Sequence, residues 1–288
     1  MPGQLKEVRQ RISSTQSTQQ ITKAMKMVSA AKLRRAQENI ILFRPYVQSL
    51  NAILQNVIAD ETDTNEVPFL KVRDVKKVLI ILITSDRGLC GGYNANLVKL
   101  AKQTIQEKYP QQKIEIWHVG KKGFEAFTKL NYTQNSQFKD LFLQFNYQEV
   151  KKMSALAIQS FLDEKFDAID LVYSEFRNAA FQISTCQPFL PITLPPKTSG
   201  FKADFIYEPS KNELLPNLIP QILTTQIYKA LLEALASEHG ARMTAMDKAS
   251  ENAQELLKSL KLSYNRARQA AITTELTEIV SGAAALNS

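Results

Sequence analysis

Apolar residues recur at positions 33, 36, 40, 43, 47, 50, 54 and 57, in alternating steps of three and four. That spacing predicts the seam of a coiled coil, held for about three and a half heptads. Between Gln4 and Ile58 there is no glycine and no proline other than Pro45, so one long helix is expected there. Extended backward, the same frame places Gln19, Thr22 and Lys26 on the seam, whereas the apolar residues of that stretch are Ile21, Met25 and Val28. A displaced stripe unwinds a coiled coil locally, so ITKAMKMVSAAKLRRAQ is expected to bend or to face a different neighbour from the helix on either side. Pro45 removes one helical hydrogen bond, which leaves both a kink and an unbroken helix open.

A second long helix is predicted from about Asn212 to Leu286, with Pro216 and Pro220 in its first turns. Ala241, Ala245, Ala249 and Ala253 form a row of small residues at i, i+4, a surface another helix can approach closely. Gly240 and Gly282 weaken it, each by about 1 kcal/mol relative to alanine. At about 1.5 Å per residue the two helices reach roughly 80 and 110 Å, too long for a globular domain of this size. An antiparallel pair is the economical solution, with the C-terminal helix overhanging by up to about 20 residues. In that overhang Ile272, Leu276, Ile279, Ala283 and Leu286 form an apolar stripe with no later sequence to cover it.

The middle of the chain changes period. VLIILITSD (78–86) is a continuous apolar, β-branched run of the kind found in buried parallel strands, and the helix NANLVKLAKQTIQEKY follows it as far as Pro110. Next come a strand in KIEIWHVG, a short helix in KKGFEAFTKL, a helix in YQEVKKMSALAIQSFLDEK and a strand in AIDLVYSEF. AAFQISTCQPFLPI is expected to pair with that last strand through the RNAA turn. Alternating strands and helices predict a three-layer, Rossmann-like α/β domain inserted in the long antiparallel coiled coil. The expected divisions are residues 1–58, 75–205 and 210–288, with polar linkers at 59–74 and 194–200.

Composition narrows the class. The chain is 44% apolar and 22% charged, which excludes a disordered chain. No window reaches the roughly 20 apolar residues a membrane helix needs, and MPGQLKEVRQ lacks the apolar core of a signal peptide, so no direct membrane insertion is expected. Cys90 and Cys186 stand far apart without ligand-like neighbours, which argues against a disulfide framework or a zinc site. Residues 1–58 hold nine basic side chains against two acidic ones, nearly all of the net charge of +8. Such a segment suits an acidic surface, whether nucleic acid, lipid headgroups or an acidic protein.

The candidate chemistry centres on SDRGLCGGYN, whose three glycines lie between a buried strand and a helix, where doubly wound proteins bind phosphates. Its spacing matches neither GK[ST] nor GxGxxG, so a tight turn is the simpler reading. Cys90 is a nucleophile candidate at a helix N-terminus, but the histidines that would serve as its base are His118 in a strand and His239 on the long helix. The pairs Asp167 with Asp170 and Glu275 with Glu278 read as solvated acids. No catalytic, metal or cofactor site is expected. ASEHGARMTAMDKASENA (236–253) is polar on more than one helical face, which suggests contact beyond its own partner helix.

ITTELTEIVSGAAAL (272–286) resembles, position for position, a signature of the gamma subunit of F-type ATP synthases. The likeness extends to QLKEVRQRISSTQSTQQITKAMKMVSAAKLRRAQ, RPY at 44–46, SDRGLCGGYN, YEPSKNELL at 207–215 and SEHGARMTAMDKASENA. The redox-cysteine insertion of the chloroplast branch and a transit peptide are absent, so the sequence is similar to a bacterial or a mature organellar form. The resemblance implies a non-catalytic rotor shaft in proton-driven ATP synthesis and hydrolysis, without bound nucleotide. The implied partners are a ring of alpha and beta subunits, the epsilon subunit and the membrane c-ring; nucleic acid is not among them. The implied location is peripheral, at the cytoplasmic face of a bacterial cell membrane. Met25, Lys23, Lys26, Arg268, Gln269, Thr273, Glu275 and Glu278 are the implied contacts with the alpha/beta ring. Arg44, Tyr46, Tyr207 and Glu208 are those with the c-ring and epsilon. From the residues alone two other readings stay open, a nucleotide-dependent α/β enzyme and a coiled-coil nucleic-acid binder.

Overall fold

The computed structural model describes residues 2–59, 68–71, 73–192 and 211–286. In chain order these form α1 (Pro2–Ala59), β1 (Lys77–Ile83), α2 (Tyr93–Lys108), β2 (Lys113–Val119), α3 (Lys121–Phe127), β3 (Thr133–Asn135), a 3-10 turn (Leu141–Gln144), α4 (Tyr147–Leu162), β4 (Ala168–Phe176), β5 (Gln182–Leu190) and α5 (Lys211–Leu286). Helix α1 stays helical through Pro45. The contacts divide the chain into two units, residues 30–242 and residues 1–29 with 243–288.

In the larger unit a five-stranded sheet runs β3-β2-β1-β4-β5, with β4 and β5 antiparallel and every other neighbouring pair parallel. β1 is central, which accounts for its unbroken apolar run: from Val78 to Ile83 every side chain is buried. Alternate residues serve opposite faces. Val78, Ile80 and Leu82 pack with Leu97, Ala101 and Ile105 of α2, while Leu79, Ile81 and Ile83 pack with Met153 and Phe161 of α4 and with α5. Asn146 caps α4 by accepting the Glu149 N–H at 2.9 Å.

The first part of α5 is apolar almost all round because it is surrounded. Ile219, Leu223, Ile227, Leu231 and Ala234 lie in the core with α4 and the sheet, and Leu50 of α1 joins them. The polar groups caught there are paired. Thr224 donates to Ser154 Oγ at 3.0 Å, Ser237 to the Ser174 carbonyl at 3.0 Å, and Tyr93 to the Ala234 carbonyl at 3.2 Å. In α1 the seam at Leu33, Ala36, Ile40, Val47 and Leu50 is buried, and Phe43 meets the Tyr228 ring edge-on at 5.1 Å.

Several expectations are corrected. The short edge strand β3 and the 3-10 turn carry no periodic signal. The linker expected over 59–74 ends in packed structure, because Phe69 is buried and its carbonyl accepts the Ile192 N–H at 2.9 Å; residues 194–200 lie outside the described residues. Asp170 is not solvated. It is 1% exposed and accepts from Lys108 at 2.8 Å and Tyr109 at 2.9 Å, and Asp167 accepts the N–H groups of Lys76 and Lys77. Asp170→Asn should cost about 1 kcal/mol in a urea titration, since the half-exposed Lys108 regains water when the charge is removed.

In the smaller unit the two helices pair antiparallel: Thr22 meets Ser250 and Lys26 meets Asp247. The expected displacement of the seam does not occur. The less exposed positions of α1 remain 5, 8, 12, 15, 19, 22, 26 and 29, the same frame that 33, 36, 40, 43, 47 and 50 follow. On α5 the frame is 246, 250, 253, 257, 260, 264, 267, 271 and 274, again in steps of three and four. Thr22, Ser29 and Ser250 are therefore buried, while Ile21 is 60% and Val28 57% exposed. The seam follows hydrogen bonding and helix register here, against the apolar stripe. Of the alanine row only Ala253 is fully buried.

Candidate functional site

The glycine-rich loop after β1 is closed by its own residues. Asn94 Oδ1 accepts the Ser85 N–H at 3.0 Å, Ser85 Oγ donates to the Arg87 carbonyl at 2.7 Å, and Asn94 Nδ2 reaches Cys90 Sγ at 3.2 Å. Leu89 and Gly91 adopt left-handed backbone at φ 63° and 58°, a sharp turn that glycine makes without strain at position 91. Cys90 is 1% exposed, and its hydrogen-bond neighbours are Ser85, Arg87 and Asn94. His118 lies elsewhere in the core, against the rings of Phe124 and Phe127 at 5.6 and 5.8 Å. No cysteine–histidine pair is assembled among these groups.

What the loop does hold is α5. Arg242 donates through Nη2 to the carbonyls of Arg87 at 3.0 Å and Gly88 at 3.2 Å, and through Nη1 to Glu238 Oε1 at 2.6 Å. Both side chains of the ion pair are about nine-tenths buried. Burial raises the Glu238 carboxyl, opposed by Arg242, and Asp86 adds to the rise. His239 is lowered to about 4, by burial first and then by the positive charges of Arg242 and Lys32. A cradle for phosphate needs free N–H groups at a helix N-terminus. This loop presents carbonyls, and to an arginine. Sequence reasoning missed Arg242; its signal was a basic residue in SEHGARM four positions after an acid.

Of the described residues carried over by resemblance, all but Met25 and Lys26 fall on outward faces. Lys23, Arg268, Gln269, Thr273, Glu275 and Glu278 are exposed in the smaller unit, Met25 is half-buried beside the seam, and Lys26 is engaged by Asp247 at 2.6 Å. Between these polar positions α5 presents Ile272, Leu276, Ile279 and Val280 at 49 to 67% exposure. Leu256 and Leu262 are exposed as well. In the larger unit Arg44 and Tyr46 are exposed on α1 beside Ile41 and Leu42, two further apolar residues off the seam that the sequence reading passed over. Tyr207, Glu208 and the side chain of Leu286 lie outside the described residues.

A coiled coil that leaves this much apolar surface outside its seam is a component of something larger, and the comparisons with known proteins say of what kind. The family model described as ATP synthase matches residues 4–286. A relative from Cytophaga hutchinsonii, an ATP synthase gamma chain, is 51% identical over 295 residues, with both chains covered in full. Another gamma chain, from Geotalea daltonii, is 48% identical with 97% of each chain covered. The chain belongs to the ATP synthase gamma-chain family.

Solved structures share the fold. A chain of the Euglena gracilis mitochondrial ATP synthase in rotational state 3 superposes with a TM-score of 0.65 at 22% identity, covering 99% of this chain and 95% of that one. The rotor of the same synthase in rotational state 1 gives 0.61 at 21%, covering 94% and 100%. Among the described residues no helix is long and apolar enough to cross a membrane, and no cluster of metal-ligating side chains occurs.

Proposed function

We propose that this chain is the central shaft of an F-type ATP synthase, a non-catalytic subunit that couples proton-driven rotation of the c-ring to the states of three catalytic beta subunits. The observation that carries the proposal is the row of exposed apolar residues Ile272, Leu276, Ile279 and Val280 on α5, interleaved with Thr273, Glu275 and Glu278 and left uncovered by the described residues. A sleeve of alpha and beta subunits is the cover that family membership supplies. A helix that turns inside its bearing needs apolar contacts interrupted by polar ones, because a sealed apolar interface would hold it in one orientation.

An asymmetric coil presents a different face to each of three surrounding subunits. Each subunit then experiences a different contact free energy and adopts a different state, and turning the coil exchanges those states. Protons crossing the membrane deliver about 2.3 kcal/mol per charge per 100 mV, so the shaft carries no chemistry of its own. The basic segment 1–58 fits acidic loops of the ring, with Lys23 and Met25 at that contact and Arg268 and Gln269 above it. Arg44, Tyr46, Tyr207 and Glu208 belong to the contact with the c-ring and epsilon. The chain is a peripheral subunit at the cytoplasmic face of a bacterial cell membrane.

The test is purification of the tagged chain from its own cells, followed by identification of what comes with it. Alpha, beta and epsilon subunits should co-purify with ATPase activity, and the variant Ile272→Asp, Leu276→Asp, Ile279→Asp should lose most of the ATP-driven proton pumping. A chain recovered without ATPase subunits, or a triple variant that pumps normally, overturns the reading.

A further inference from the structure

The seam of the smaller unit is polar where a better apolar choice lies one residue away. Thr22, Ser29 and Ser250 are 8%, 3% and 5% exposed, whereas Ile21 and Val28, each one position earlier on α1, stand outside. Turning α1 by one residue, about 100° about its axis, would bring Ile21, Met25 and Val28 to the seam. Burial of apolar surface favours that turn. Something in the observed arrangement opposes it.

Two contacts are made in the observed frame and are lost in the turned one. Thr22 Oγ1 donates to the Gln19 carbonyl at 3.0 Å and accepts across the seam from Ser250 Oγ at 2.7 Å, which also lies 2.8 Å from the Met246 carbonyl of its own helix. One turn further along, Lys26 Nζ donates to Asp247 Oδ1 at 2.6 Å, with both side chains a little under half exposed. Polar residues on a coiled-coil seam give up stability and gain register, because only one alignment pairs them.

We propose that Thr22, Lys26, Asp247 and Ser250 form a register lock. They are positioning residues that hold α1 in the frame that keeps Ile21, Met25 and Val28 out of the seam. The competing source of register is the apolar seam further along α1, from Leu33 to Leu50, acting through the stiffness of the helix alone. The lock is a property of this chain by itself, so its test does not depend on the shaft reading.

The test uses disulfide formation in the full-length chain, with single-cysteine chains as controls for Cys90 and Cys186. A Gln19→Cys, Ala253→Cys pair reports the observed frame, and a Thr18→Cys, Ala253→Cys pair reports the turned one. In the otherwise unchanged chain the first pair should close at least ten times more completely than the second. With Thr22→Ala, Lys26→Ala, Asp247→Ala and Ser250→Ala together, the ratio should fall to near one. An apolar seam made with Thr22→Ile, Lys26→Leu, Ser29→Val, Asp247→Ala and Ser250→Ala should restore it, since the observed frame is then as apolar as the turned one and stays in step with the seam from Leu33 to Leu50. If the four alanines abolish the helical circular dichroism, Thr22→Ala with Ser250→Ala is read by the same criterion. A folded alanine chain that keeps the tenfold ratio overturns the lock, and so does a folded apolar-seam chain that fails to restore it.

Discussion

Arg242→Ala is expected to cost the sheet-bearing unit about 3–5 kcal/mol, a large fraction of the stability of an ordinary domain. The substitution leaves the buried Glu238 carboxylate without its partner at 2.6 Å and takes a donor from the carbonyls of Arg87 and Gly88, of which Arg87 keeps the Ser85 hydroxyl. The carboxylate dominates. Its pKa is already raised by burial with the arginine present, so without the arginine it must take up a proton or stay charged in an apolar surround. Glu238→Gln together with Arg242→Met removes both charges while keeping similar volumes, and is expected to cost much less than Arg242→Ala alone. A urea titration of each chain, followed by circular dichroism, checks the order. Equal losses in the two chains would mean that the clasp acts through packing, with little contribution from its charges. Limited proteolysis gives a second readout, because Leu89 in its left-handed turn is exposed and the loop should be cut sooner once α5 no longer holds it.

The case of Arg242 shows what the sequence carried and what it did not. Strands β1, β2, β4 and β5 and helices α2, α3 and α4 were legible because each is a run of one period bounded by a break. The β4–β5 hairpin was legible from the RNAA turn between two such runs. β3 has only three residues, so no period can form, and its place is set by the β2 backbone beside it. The glycine-rich loop was legible as a tight turn but its partner was not, since the acid four positions before Arg242 is a pattern that exposed helices share and nothing local ties it to a loop about 150 positions away.

The coiled coil divides in the same way. The apolar steps from Leu33 to Leu50 fix the register there, and the buried positions follow them. Between Gln19 and Ser29 the steps point to the wrong face, because an apolar residue on a helix says only that something covers it and not whether the cover is the partner helix or another chain. Ile272, Leu276 and Ile279 lack cover among the described residues and show the second case plainly. Ile21 and Val28 show it in a place where the seam itself was available to them. The outward faces of a shaft and the seam of a coil therefore give the same local pattern. They become distinguishable only when the polar pairs across the seam, Thr22 with Ser250 and Lys26 with Asp247, are seen.

Acid should unfold the sheet-bearing unit through its histidines. His118 is fully buried in β2, neither ring nitrogen has a hydrogen-bond partner, and burial lowers its pKa from 6.5 to about 4, opposed by the nearby Gln134 amide. A histidine whose folded pKa lies below its unfolded one binds its proton more readily after unfolding. Its contribution is therefore fully present above pH 6.5, is lost as the pH falls, and is gone near pH 4. At about 1.4 kcal/mol per pH unit the loss over that window is about 3 kcal/mol. His239 moves in the same direction, lowered to about 4 by burial, Arg242 and Lys32. Glu238, Glu233 and Asp86 oppose the trend, because burial raises each of them and protonation in acid relieves that cost. The variant His118→Leu separates these contributions. Leucine has no proton to gain and fits among Phe124 and Phe127, so stability at pH 8 should change by no more than about 1.5 kcal/mol. The fall between pH 6.5 and 4 should shrink by about 3 kcal/mol, roughly the whole His118 share. Urea midpoints measured at half-unit steps from pH 8 to 4 give both numbers. If the acid limb of His118→Leu runs parallel to that of the unchanged chain, the acid sensitivity does not come from His118, and the pair of His239 with the Glu238–Arg242 clasp is the next place to look.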